Sequence, residues 1–302
     1  MKTLNLKSLL TITAATVSAV AVAGQPVLAG GFNTLNSDWN IVLDSFTDGT
    51  TNNNIGLNSD YQMFGMAAKV VDGEAYFAIH GNLDLGGKNN VGYGDLFFNF
   101  SDKSFKDASA AEELFAVHFA PNDTGNSNFG LYQNVKAKSV TSTNSGHAGF
   151  QAYRNFVANK GGTVGFGDLT TDEAQEYLTA FNGGHQDGGH SIQNVIKTGT
   201  KVADDGFAML SAADLAGLDF GTSGSAFNKE KTFGFKFDAT KLPEGNALIT
   251  LLQECINDGM AMKATFEAPI EPGVDVPEPS SIVSLGLIGL ALAGSKLRKQ
   301  NS

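Results

Sequence analysis

Cysteine is almost missing from this chain. Cys255 stands alone among 302 residues, so no internal disulfide can form and the fold must be held by packing or by a metal. Proline is scarce too: there are seven, and four of them fall between 269 and 279. Positive charge is the third shortage, with 20 Lys and Arg against 31 Asp and Glu. Setting aside residues 1–29 and 277–302 leaves 15 basic and 30 acidic residues, a net charge near −15. Such a body repels phosphate backbones, which excludes nucleic acid as an expected partner and favours divalent cations. Gly-x-Ser-x-Gly, His-Glu-x-x-His and phosphate-loop motifs are all missing, so no catalytic role is expected.

What is present begins at the ends. Lys2 and Lys7 precede an uncharged, largely apolar run at 9–23, followed by small-residue sites ending at Ala23 and Ala29. That order predicts a secretory signal peptide over 1–29, read by the Sec translocon and cut after Ala29, with Ala23 as the alternative. At the other end, residues 282–293 are apolar or small and uncharged. As a helix they span about 18 Å, short of the roughly 30 Å hydrocarbon core, so they make a marginal membrane helix. Lys296, Arg298 and Lys299 beyond it set the C-terminus on the cytoplasmic side.

Between the ends, residues 30–268 form about 240 residues of short apolar runs broken by Gly, Asn and Asp. Asp72-Gly73 suits the tip of a two-residue hairpin over 61–83. That register pairs Val70 with Ala75, Ala68 with Phe77 and Met66 with Ile79 on one apolar face. Phe233, Phe235 and Phe237 alternate in the same way, as do Phe115, Val117 and Phe119. Residues 95–100 are apolar on both faces, which predicts a central strand. The expected fold is therefore all-β, a single β-sandwich or jelly-roll-like domain over 30–268. Residues 141–199, rich in Gly, Asn and His, read as a long excursion from it, with a helix at 172–181 capped by Thr171. Ser211 is expected to cap another short helical turn. An extended Pro-rich, acidic stalk covers 269–276.

Pro277-Glu278-Pro279, the short apolar helix and the basic tail together resemble the PEP-CTERM sorting signal of bacterial surface proteins. The resemblance implies recognition by exosortase, a membrane-embedded cysteine protease, which removes the helix and leaves the body at the cell surface or outside the cell. Blocks such as Trp39-Asn40-Ile41-Val42-Leu43-Asp44, Gly92-Tyr93-Gly94-Asp95 and Glu254-Cys255-Ile256-Asn257-Asp258-Gly259 resemble an exosortase-dependent surface-protein family of cyanobacterial type. That resemblance implies location and architecture, not chemistry.

Three candidate chemistries remain. Asp44, Asp48 and Asp60, with Asn52 and Asn54, line one polar loop, and oxygen ligands of this kind suit Ca²⁺. His185 and His190 on a Gly-rich loop, with His147, offer a transition-metal set or the centre of an envelope hydrolase. Cys255 lies among acidic residues that raise a thiol pKa, which argues against a nucleophile. The expected role is structural or adhesive. Carbohydrate binding in an extracellular polysaccharide layer is the alternative, with Tyr76, Tyr93 and Tyr132 as candidate stacking rings.

Overall fold

The computed structural model describes residues 31–222, 227 and 229–267. The expected signal peptide, stalk and sorting segment lie outside the described residues. In chain order the strands begin with β1 (Asn33–Thr34), β2 (Asn40–Leu43), β3 (Thr50–Thr51), β4 (Asn54–Ile55), β5 (Met63–Val71) and β6 (Glu74–Gly81). There follow β7 (Leu96–Asn99), β8 (Leu114–His118), β9 (Gly130–Lys138), β10 (Ala180–Phe181) and β11 (Gly184–His185). The last five are β12 (Val195–Lys201), β13 (Ala208–Met209), β14 (Lys231–Asp238), β15 (Gly245–Leu252) and β16 (Gly259–Phe266). Three helices interrupt them: α1 (Phe105–Ala110), α2 (Phe150–Asn159) and α3 (Thr171–Thr179).

A seven-stranded sheet runs β1-β16-β15-β7-β8-β9-β12, and a five-stranded sheet runs β13-β14-β6-β5-β2. The β5–β6 hairpin has the expected register, including Val70 with Ala75, Ala68 with Phe77 and Met66 with Ile79. Its tip is left-handed at both Asp72 (φ 50°) and Gly73 (φ 80°), as a type I′ turn requires. The two sheets share one core, in which Phe77 meets Phe98 edge to face at 5.5 Å and stacks on Phe235 and Phe237. Sheet-on-sheet packing was expected. Local hairpins and meanders such as β7-β8-β9 and β15-β16 are joined by long crossovers, which bring β15 back beside β7 and β14 beside β6.

The central strand β7 is buried on both faces because each face has its own core. Phe98 points between the sheets, while Phe97 belongs to a second cluster with Leu114, Ala116, Leu248 and Ala261. Phe150, Tyr153 and Val157 of α2 and Ala174, Tyr177 and Leu178 of α3 close that second cluster. This corrects the expectation of an excursion over 141–199. Much of that region packs as a layer on the outer face of the larger sheet, and its end, β12, is an edge strand of that sheet paired with β9. Helix α3 is capped by Thr170, not Thr171. Thr170 accepts from Glu173 N, and the Glu173 carboxylate accepts from Thr170 N at 2.8 Å. Only Thr170 has a carboxylate three residues on, as a capping box needs. The short helical turn expected at Ser211 is present: Leu215 N donates to Ser211 O at 3.3 Å, and Ser211 Oγ accepts from Asp214 N as its cap.

Candidate functional site

Where the two sheets and the helical layer meet, three aspartates converge. Asp44 follows β2 and continues its ladder by donating its N–H to Phe64 O at 2.9 Å. Asp48 lies on the loop before β3, and Asp258 closes the turn between β15 and β16. Each offers a carboxylate oxygen, and these oxygens all lie within 4.8 Å of one another. The loop can come this close because residue 49 is glycine: a Cβ there would stand 2.3 Å from Gln62 Cα.

Backbone donors hold the carboxylates in place. Met63 N donates to Asp258 Oδ2 at 2.7 Å and Gly259 N to Asp258 Oδ1 at 2.8 Å. Gly165 N donates to Asp48 Oδ2 at 2.8 Å, while Gly167 N reaches Asp44 Oδ1 only at 3.4 Å. Tyr153 OH of α2 lies 3.4 Å from Asp258 Oδ1. The Gln62 amide nitrogen faces four oxygens: Ser45 O at 2.6 Å, Met63 O at 2.5 Å, Asp258 Oδ2 at 3.2 Å and Asp48 Oδ1 at 3.3 Å. Two hydrogens cannot satisfy four acceptors. Asp44 Oδ2 has no partner, although Asp44 is only 7% exposed.

The electrostatics follow from that enclosure. Asp48 and Asp258 are fully buried, and none of the ion pairs among the described residues involves any of the three. Burial pushes all three carboxyls up. Asp48 rises to about 7, and Asp44 and Asp258 rise well above the usual range, with mutual repulsion adding to both. Two like charges about 4.8 Å apart repel by about 3 kcal/mol at an effective dielectric of 20. Three bare carboxylates here would be strongly unfavourable, so the site favours protons or a cation.

The other expected ligands lie elsewhere. Asp60 is held by Lys88 at 2.8 Å and Lys229 at 3.5 Å, which lower its pKa against its own burial. Asp258, not read as a ligand from the sequence, takes its place. His185 pairs with Glu176 at 3.0 Å and Thr179 at 3.1 Å, and no cluster of three or more acidic, His or Cys ligands among the described residues includes His185 or His190. Cys255 is enclosed, and burial raises its thiol to about 12, which leaves it protonated at neutral pH. Of the candidate stacking rings, Tyr93 and Tyr132 are buried. Tyr76 is half-buried beneath Lys69 and Lys236.

Beside the aspartates opens a cleft of about 470 Å³ that sequence reasoning missed. Asn52, Asn89, Asn144, Asn257 and Phe156 are among its lining residues, and none of the lining is Asp, Glu, Lys or Arg. His147, also at the wall, hydrogen-bonds Thr50 Oγ1 at 3.1 Å, and burial lowers its pKa to about 4. The cleft is polar but uncharged at neutral pH.

A family model for the PEP-CTERM protein-sorting motif matches residues 275–300. The chain carries a PEP-CTERM protein-sorting motif. Pro277, Glu278, Pro279, Lys296, Arg298 and Lys299 all fall inside the matched span, so the PEP-CTERM motif is the one the sequence resembled. The motif implies export, exosortase processing and surface sorting. No curated protein and no solved structure matches the PEP-CTERM chain. Among the described residues, no helix is long and apolar enough to cross a membrane.

Proposed function

We propose that this PEP-CTERM protein is a non-catalytic structural or adhesive component of the cell surface or extracellular matrix, of the cyanobacterial exosortase-dependent type. The Sec translocon exports it, the C-terminal helix holds it briefly in the membrane, and exosortase cuts at Pro277-Glu278-Pro279. The matched sorting motif at 275–300 carries this reading. Support for the body's role comes from its chemistry: a closed, doubly packed β core, a protonated buried thiol, and an acidic surface suited to solubility outside the cell. Mass spectrometry of surface-purified protein tests the route. The expected mature chain lacks the apolar helix and the basic tail, and a chain still ending in Ser302 overturns it.

The uncharged cleft favours a second reading, in which the body binds a neutral saccharide of the surrounding polysaccharide. Amide side chains such as Asn144 and Asn257 suit sugar hydroxyls, and the half-buried Phe156 ring suits an apolar sugar face. Binding on a glycan array, reduced at least tenfold by Phe156→Ala, is the expected result. Silence from folded protein removes this reading.

A further inference from the structure

We propose that Asp44, Asp48 and Asp258 hold one hard divalent cation, of the Ca²⁺ class, which bolts the two sheets to the helical layer. The donor set is oxygen only, as such cations prefer. The ligand oxygens lie within 4.8 Å of one another, the span that Ca–O distances of about 2.4 Å allow across one ion.

Two observations independent of the acidic count point to a ligand. Asp44 Oδ2 is enclosed and has no hydrogen-bond partner among the described residues, although Ser45 N, Gly167 N and the Asp258 carboxyl all lie against the Asp44 side chain. Beside it, the Gln62 amide can serve only two of the four oxygens around its nitrogen. A buried site with more lone pairs than hydrogens, and with carboxylates outside every ion pair among the described residues, is one that a cation completes. Its position also gives the cation a task. The aspartates belong to the 44–49 loop and the β15–β16 turn, and Thr50 N–H reaches Asn257 O at 2.9 Å between those segments. Thr50 and Asn257 both line the neutral cleft, so the ion would fix the cleft's walls.

The test uses the full-length chain purified in detergent, stripped with EDTA and then supplied with Ca²⁺, Mg²⁺ or Mn²⁺ separately. At 100 times Kd, Ca²⁺ is expected to raise the melting temperature by roughly 5 °C or more. Terbium should report the same site by luminescence excited through Tyr153. Asp258→Asn and Asp48→Asn should each abolish both signals, whereas Asp60→Asn, outside the cluster, should retain them. If Asp258→Asn fails to fold, the Asp48→Asn result decides. A stripped wild-type protein that none of the three ions stabilises, or a shift retained by Asp48→Asn, overturns the proposal. In the former case the carboxyls share protons, and Asp48→Asn should be the more stable protein in EDTA.

Discussion

His147 shows how a single side chain ties stability to pH. Its ring packs against Tyr153 and Phe156, and no charged group faces it closely enough to offset its burial. Its folded pKa of about 4 lies below the ordinary 6.5, so folding favours the neutral ring. The stability it contributes is complete above pH 6.5 and is lost as pH falls through about 4. Allowing for partial exposure, the loss is about 2 kcal/mol. Urea midpoints measured from pH 7 to pH 4 should fall less steeply in His147→Phe than in wild type. The difference between the two proteins isolates His147 from the aspartates, whose raised pKa values act in the opposite sense. Single residues also mark where sequence reading stops. Asp44 and Asp48 were legible as an oxygen-rich loop, but Gln62 and Asp258 meet across 196 residues of chain. No local spacing signals such a contact.

At the scale of elements, legibility followed periodicity. The β5–β6 register and the two-faced β7 were readable because strand patterning has a period of two, and a one-residue slip would have mixed their faces. Helix α2 was not read. It starts at Gly149 without a side-chain cap, and its buried face rests on only Phe150, Tyr153 and Val157. The covering role of 141–199 was hidden for a related reason: a second core is visible only once both faces of β7 have partners. Helix α3 was legible except for its cap. Thr170→Ala should therefore lower stability by about 1 kcal/mol in chemical denaturation. Thr171→Ala, which loses one 3.3 Å bond to Val164 O, should lower it less.

For the whole molecule, the arrangement of the sheets matters more than any site, and the layered core explains how a chain with a single cysteine can persist outside the cell. β16 is the last strand among the described residues, and it does not lie at an edge. It pairs parallel with β1 on one side and antiparallel with β15 on the other. A protein held by its C-terminal end and dragged by flow or by a neighbouring surface would feel the load along β16. Because β1 runs parallel to it, tension between the two ends of the chain pulls these neighbours past each other in shear, and their bonds must rupture together instead of opening one at a time. Single-molecule pulling between the termini should give a higher unfolding force than pulling across the tip of the β5–β6 hairpin, where the bonds unzip in sequence. The parallel β1–β16 pair would place such a load in shear.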